Sequence, residues 1–222
     1  MHPDTLAFLD VLFERCSSLR SSTRLTFTVI HPDSQHPTPS RHIPSDNRAA
    51  LLDMLQRLSD TNRMGWGAYF AVVVALPAFY TDIDDPTDAT LMKLGGARLP
   101  PSVIVHSGGG YHAYWLLDEP THDLNTARHV LHGLARTFGG DGLSPAQSLR
   151  LPGTVNHKPE RGGAVCHLVE HSARHYCLSD FQSLIPPVPR LQERQPAPRA
   201  AHPPSSKHLN VQLIHAITNI LY

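Results

Sequence analysis

Two periodicities run through the pattern of hydrophobic and polar residues, and together they predict helices mixed with strands. Apolar residues recur in several segments at the spacing of a helix with one buried face. Ser45 or Asp46 is placed to cap the second of these helices, and Gly95-Gly96 to end the third. The predicted helices span residues 5–16, 45–58, 86–95 and 123–138, and a last short helix begins at Ser179-Asp180.

Strands are predicted from alternating residues and from short apolar runs between turns. In Arg24–Ile30, the side chains of Leu25, Phe27 and Val29 share one face. Residues 31–44 are rich in Pro, Ser and His and are predicted to form a loop. The other predicted strands are 66–76, 79–84, 102–106, 111–117, 149–151 and 165–169. Helices and hairpins in this order predict an α+β fold around a largely antiparallel sheet.

Composition divides the chain into one large domain and a short C-terminal part. The chain has 222 residues, of which 41% are hydrophobic, enough for a core over residues 1–185. Recurring prolines over residues 186–208 predict an extended linker. Residues 209–222 carry apolar residues at helical spacing. We expect this last helix to dock on a partner such as a helicase, or to begin an accessory domain.

Bulk properties narrow the location and the class of partner. No apolar run reaches the roughly 18 residues of a membrane span, and the N-terminus lacks the form of a signal peptide. The three cysteines show no CxxC spacing, which favours a reducing cytoplasm. The net charge of zero argues weakly against a strong nucleic-acid binder. However, residues 82–123 hold seven acids against two bases, and residues 150–207 hold eight bases against four acids.

Asp82 and Asp84 are the first candidates for metal binding. Because strand side chains alternate between faces, both carboxylates share one face and Ile83 points into the core. Like charges this close favour protonation unless a cation lies between them, and hard divalent cations prefer oxygen ligands. Solvated acids at a strand end are the ordinary alternative. Further along the chain, Gly139-Gly140-Asp141 offers a third carboxylate.

The predicted turn Ser107-Gly108-Gly109-Gly110-Tyr111-His112 suits a phosphate group. Consecutive glycines let backbone N–H groups approach an anion, and a serine and a histidine flank them. We expect His112 to project toward the site with Tyr114 on the same face, and Trp115 to enter the core. A plain turn with a structural histidine is the alternative, but the acid pair upstream favours the functional interpretation.

A third segment, SLRLPGTVNHK over residues 148–158, supplies basic groups. Its two leucines are predicted to face inward, which places Arg150 on the opposite face. Arg150 and Lys158 suit phosphate oxygens, the arginine as a fork and the lysine as a point charge, and Asn156 adds hydrogen bonds. A turn with solvated bases is the alternative. A metal site beside a phosphate site indicates nucleotide chemistry.

Taken in order, the motifs DID, SGGGYHAYW and GGD with LRLPGTVNHK resemble the archaeo-eukaryotic primase superfamily. The most similar groups are RepB-type primases and primase-polymerases of plasmids, phages and mobile elements. The resemblance covers roughly residues 68–158 and implies an RRM-like, mostly antiparallel sheet flanked by helices. The family's metal-binding acids match Asp82, Asp84 and Asp141, and its phosphate-contacting serine and histidine match Ser107 and His112.

The reaction that this resemblance implies is template-dependent nucleotidyl transfer, making primers on single-stranded DNA from NTPs, dNTPs or both. Two divalent metals, Mg²⁺ or Mn²⁺, would lie on the three acids and serve the attacking hydroxyl and the leaving pyrophosphate. The residues expected to act are Asp82, Asp84, Asp141 and His112, and those expected to hold the nucleotide are Ser107, Gly109, Gly110, His112, Arg150, Asn156 and Lys158.

Two other functions remain as alternatives from the sequence. A metal-dependent nuclease or rolling-circle initiator would use the same acids, although the latter calls for a His-x-His pair, which the sequence near the acids lacks. A non-catalytic, RRM-like nucleic-acid-binding module would leave the clustered acids unexplained. Primer synthesis is therefore the first hypothesis.

Overall fold

The structure, a computed structural model, describes residues 2–14, 24–33, 35–73 and 75–185. They belong to a compact unit that extends from Met1 to Pro186. The predicted linker (186–208) and the predicted C-terminal helix (209–222) lie outside the described residues. Cys16, at the end of the first predicted helix, lies outside them too.

Within the described ranges, eight strands form two antiparallel four-stranded sheets. The first sheet has the order β2-β1-β3-β7, formed by β1 (Arg24–Ile30), β2 (Ser40–Pro44), β3 (Gly67–Val73) and β7 (Leu149–Arg150). The second has the order β4-β6-β5-β8, formed by β4 (Leu76–Ile83), β5 (Val103–His106), β6 (Tyr111–Thr121) and β8 (His167–His171). The α+β class with antiparallel strands is confirmed, with the strands divided between two sheets.

Helices flank the sheets, and their ends follow capping chemistry. They are α1 (Pro3–Leu12), α2 (Arg48–Arg63), α3 (Asp88–Gly95) and α4 (Leu124–Phe138), with 3-10 helices over Pro159–Arg161 and Leu178–Leu184. Asp123 caps α4 by accepting the N–H groups of Asn125 and Thr126, and Gly139 ends it at φ 79°. None of the helices in the described ranges is long and apolar enough to cross a membrane.

Several element boundaries differ from the prediction. Asn47, rather than Ser45 or Asp46, caps α2, because its side chain accepts the N–H of Ala50 at 3.0 Å. The helix continues past Leu58 to Arg63. The predicted loop 31–44 contains β2, and the prolines of that segment hide the strand. Pro44 is tolerated within β2 because β2 is an edge strand.

The long apolar run predicted as one strand over residues 66–76 is interrupted between β3 and β4, which belong to different sheets. Periodicity cannot show a break within a continuous apolar run. The edge strand β8 begins at His167, two residues after the predicted start. These differences leave the central elements of the prediction intact.

The core joins the two sheets through α1. The ring of Phe8 lies 5.3 Å from that of Phe70 in the first sheet and 5.1 Å from that of Tyr114 in the second. On the other face of the second sheet, the ring of Trp115 packs 5.3 Å from Phe138 of α4. Trp115 therefore enters the core, as predicted, and β6 is covered on both faces.

Candidate active site

Strand register brings Asp82, His112 and Asp141 to one face of the second sheet. Asp82 lies opposite His112 in the β4–β6 pair, and an isolated antiparallel bridge joins Asp82 to Asp141 on its other side. Residues directly opposite each other in an antiparallel pair project to the same face. The backbone N–H of Asp141 donates to the Asp82 carbonyl at 2.8 Å, so this loop continues the sheet beside β4. Asp82 is thus flanked by the other two residues.

The acid pair follows the predicted alternation. Ile83 is 2% exposed, while Asp84 lies directly after the end of β4. The side chain of Asp82 is 28% exposed and that of Asp84 70% exposed. One carboxylate is therefore partly sheltered and the other open to solvent.

The glycine-rich hairpin packs against the backbone of the acid strand. A Cβ atom on Gly110 would lie 2.0 Å from the Ile83 carbonyl oxygen and 2.9 Å from the Asp84 Cα, so only glycine fits there. The turn closes through the Gly110 carbonyl, which accepts the backbone N–H of Ser107 at 2.9 Å and its hydroxyl at 3.2 Å. Gly108 adopts φ 85°, a conformation that favours glycine.

Arg150 is a buried cation with an incomplete set of partners. It is 5% exposed, and its Nη2 donates to the Tyr69 hydroxyl at 2.7 Å. The guanidinium also lies 4.7 Å from the centre of the Tyr69 ring, because the two residues pair directly across β3 and β7. Its Nη1 is buried and has no protein partner. Burying a charge is costly unless it is paired, so this atom is suited to an anion.

Asn156 connects the basic loop to the hairpin. The side chain is 4% exposed; its Nδ2 donates to the Ser107 carbonyl and its Oδ1 accepts the N–H of Lys158, both at 3.2 Å. It therefore holds the turn and the lysine in a fixed relation. Asn156 was predicted to contact the nucleotide. In the structure, its Nδ2 and its Oδ1 each bond to the protein.

One cavity collects most of the predicted residues. Those on its wall are Asp82, Asp84, Ser107, Gly109, His112, Arg150, Asn156 and Lys158. The prediction did not include Tyr69, Ser148, Leu149 and Arg161, which also line it. Of the other two predicted residues, Gly110 packs against β4 and Asp141 adjoins Asp82 through the bridge.

Burial and charge shift the protonation of two residues in this cavity. Burial, followed by the negative charges of Asp84 and Asp141, raises the pKa of Asp82 to about 6, against the opposing effect of Lys158 and Arg150. Burial, assisted by Arg150, lowers the pKa of His112 to about 3. His112 Nε2 lies 3.5 Å from Asp82 Oδ1, but the neutral ring makes this a dipolar contact rather than a salt bridge.

These groups fit a divalent cation next to an anion. The raised pKa of Asp82 arises first from burial and second from the negative charges of Asp84 and Asp141, and a bound cation would offset both effects. Among the described residues, only His31, Asp33 and His36 place three ligand atoms within 4.8 Å of one another, in the β1–β2 connection. The acids around Asp82 are more widely spaced, which suits a site that shares its metals with a substrate.

Asn62 was not predicted to matter, yet it fixes the basic loop. The side chain is 4% exposed; its Nδ2 donates to the carbonyls of Trp66 at 2.7 Å and Val155 at 2.9 Å, and its Oδ1 accepts the Val155 N–H at 2.8 Å. Its backbone carbonyl lies 2.7 Å from His157 Nε2. An asparagine near the end of a helix carries no sequence pattern that reveals such contacts.

We expect Asn62→Ala to lower the free energy of unfolding by about 2–4 kcal/mol, because it leaves three partly buried backbone groups of Trp66 and Val155 without this partner. Urea denaturation measures the change. Gln56→Ala, on the exposed face of the same helix, is the matched control. Equal stability of the two variants would contradict the role given to Asn62.

Comparison with known proteins finds a family that matches this chain. Residues 42–180 match the family described as RepB DNA-primase N-terminal domain. No curated protein sequence matches the chain.

Solved structures show the same fold. The AEP domain of the cyanophage S-2L primase-polymerase aligns with a TM-score of 0.60 at 19% identity, over 82% of this chain and 97% of that one. Primase RepB′ aligns with a TM-score of 0.59 at 17% identity, over 79% of this chain and 61% of that one. The catalytic domain of primase RepB′ in complex with initiator DNA aligns with a TM-score of 0.59 at 17% identity, over 82% and 93%.

Proposed function

We propose, because the chain belongs to the RepB DNA-primase N-terminal domain family, that it synthesises primers by joining nucleotides on single-stranded DNA. The observation that carries this proposal is the cavity itself, in which paired carboxylates face a buried arginine with a free Nη1. Carboxylates suit metal ions and the guanidinium suits phosphate oxygens, and a nucleoside triphosphate with its metals needs both.

Asp82, Asp84 and Asp141 are the residues that would hold divalent metals, Mg²⁺ or Mn²⁺. When bound, two such ions activate a 3′-hydroxyl and neutralise the leaving pyrophosphate. Asp82 must be ionised to bind a cation, and its pKa of about 6 allows this at neutral pH. The backbone bridge to Asp82 keeps Asp141 beside that site, which supports its assignment as the third acid.

Arg150 and His112 would position the triphosphate. Arg150 Nη1 and His112 Nδ1 are both buried without protein partners. A phosphate oxygen can accept from Nδ1 only in the neutral tautomer that carries its proton there, and this tautomer leaves Nε2, 3.5 Å from Asp82 Oδ1, without a proton. Lys158 adds a point charge on the cavity wall, while Asn156 holds the Ser107 carbonyl.

The proposal also covers the template, the substrates and the partners of the chain. The solved RepB′ catalytic domain was bound to initiator DNA, and the shared fold supports single-stranded DNA as the template here. Substrates are NTPs, dNTPs or both. The predicted helix over residues 209–222 is proposed to engage a helicase or accessory domain.

Primer synthesis on single-stranded DNA tests the proposal. The chain is incubated with template, Mg²⁺ or Mn²⁺, and either NTPs or dNTPs, and the products are resolved by length. We expect metal-dependent, template-dependent oligonucleotides from the intact chain and none from Asp82→Ala/Asp84→Ala. Absence of product from the intact chain would refute primase activity. Cleavage of the template by the intact chain would instead support a nuclease.

A further inference from the structure

Arg161 joins the acid strand to the glycine hairpin. Its Nη2 donates to Asp84 Oδ1 at 3.4 Å, and its Nη1 donates to the Gly109 carbonyl at 3.2 Å. Its side chain is 29% exposed, and it lines the same cavity as Arg150 and Lys158. A third cation therefore lies beside the more open of the two paired carboxylates.

Because Gly109 has no side chain, the guanidinium of Arg161 fits beside its backbone. A Cβ atom at Gly109 would lie 2.4 Å from Arg161 Cζ and 2.6 Å from its Nε and Nη1. The backbone of Gly109 does not have a positive φ, so the flexible end of Arg161 is what a side chain at this position would meet. A side chain at position 109 would require the guanidinium to shift from its present position.

The contacts of Arg161 are suited to exchange. Both hydrogen bonds are long, and the Asp84 side chain is 70% exposed, so the ion pair adds little stability. Arg161 is the last residue of a 3-10 helix that follows Lys158, and Gly162 and Gly163 come next at φ 57° and 74°. Contacts of this kind let the side chain change partners without disturbing the fold.

We infer that Arg161 is a nucleotide-binding residue that neutralises Asp84 before substrates arrive and moves to the triphosphate when a metal takes its place. This inference rests on the proposed function of the cavity. A guanidinium and a divalent cation repel each other when both lie on Asp84, and incoming phosphate oxygens attract the guanidinium. Metal and nucleotide binding are coupled in this way through one side chain.

Mn²⁺ binding without nucleotide measures the first half of the exchange. Isothermal titration of Mn²⁺ into Arg161→Gln should give a dissociation constant roughly threefold to tenfold lower than that of the unaltered chain, because a competing charge is removed. Gly109→Ala should tighten Mn²⁺ binding to a similar extent, since its new methyl group displaces the guanidinium. Arg57→Gln removes an exposed arginine of α2 and is the charge-matched control.

ATP and dATP binding in Mg²⁺ measures the second half. Arg161→Gln should weaken nucleotide binding by about tenfold or more, as expected for a lost charge-assisted hydrogen bond. Gly109→Ala keeps the arginine and should weaken it less. Arg161→Lys keeps the charge but not the forked guanidinium. Its affinity for nucleotide should lie between those of Arg161→Gln and Gly109→Ala.

The outcomes separate this inference from the proposed function. If Arg161→Gln binds Mn²⁺ no more tightly than the unaltered chain, or binds nucleotide equally well, the exchange is refuted while the metal site stands. If Asp84→Asn leaves Mn²⁺ binding unchanged, the metal site itself is wrong. Tighter Mn²⁺ binding together with weaker nucleotide binding in Arg161→Gln supports the exchange.

Discussion

Asp82→Asn will abolish primer synthesis and stabilise the metal-free protein. The lost carboxylate removes a proposed metal ligand, so the rate should fall by at least about a thousandfold. The stabilisation follows from the raised pKa of Asp82, about 6, which shows that the folded protein disfavours its ionised form. Asparagine has a similar shape and no charge to desolvate or repel.

The size of this stabilisation depends on pH. An acid whose pKa is raised on folding contributes stability below its unfolded pKa and loses it as the pH rises through about 6. At pH 8 in EDTA, the ionised Asp82 should cost roughly 1–3 kcal/mol. Asp82→Asn should therefore raise the melting temperature at pH 8 by roughly 3–8 °C and much less at pH 5.

Thermal denaturation with EDTA or Mn²⁺ at the two pH values checks this. Mn²⁺ should stabilise the unaltered chain and have little effect on Asp82→Asn. Glu170→Gln, an exposed acid on β8, is the control and should change neither quantity. A melting temperature of Asp82→Asn below that of the unaltered chain at pH 8 in EDTA would show that ionised Asp82 does not destabilise the folded protein.

The rate of primer synthesis should also depend on the ionisation of Asp82. As the pH falls below about 6, protons compete with the metal for Asp82, so primer synthesis with Mg²⁺ should decline. Raising the Mg²⁺ concentration should shift this decline to lower pH, because metal and proton bind the same carboxylate. A decline that is independent of Mg²⁺ concentration would assign it to another residue.

The parts of the site that could be predicted are those governed by strand alternation. The period of two placed Asp82 and His112 on the site side and Ile83 in the core, and the glycine run marked the turn. Family resemblance added Asp141, which no local pattern connects to β4. Only the backbone bridge between Asp82 and Asp141 shows that the two are neighbours.

Residues that act through tertiary contacts escaped prediction. Tyr69 faces Arg150 only because β7 pairs with β3, and neither residue marks that pairing in the sequence. Arg161 reaches Asp84 across a separation of 77 positions, at the end of a 3-10 helix with no hydrophobic period. Local patterns report which way a side chain points, whereas its partners depend on how distant segments pack.

Arg150→Met should also separate activity from stability. Arg150 is 5% exposed and has no carboxylate partner in the described residues; its guanidinium contacts the Tyr69 hydroxyl and ring. A buried charge without a paired charge is costly, and an apolar side chain of similar length removes that cost. We expect stability equal to or above that of the unaltered chain, while primer synthesis falls by about a hundredfold to a thousandfold.

Conservative variants show which property of Arg150 matters. Arg150→Lys keeps the charge but has all its donors on one nitrogen instead of the two separate Nη atoms of the guanidinium, so we expect an intermediate loss of activity. Tyr69→Phe removes only the bond that orients the guanidinium and should cost about tenfold. Thermal shifts with ATP or dATP in Mg²⁺ provide a second measurement, because nucleotide should stabilise the unaltered chain and not Arg150→Met. A full nucleotide shift in Arg150→Met would mean that the free Nη1 does not bind the triphosphate.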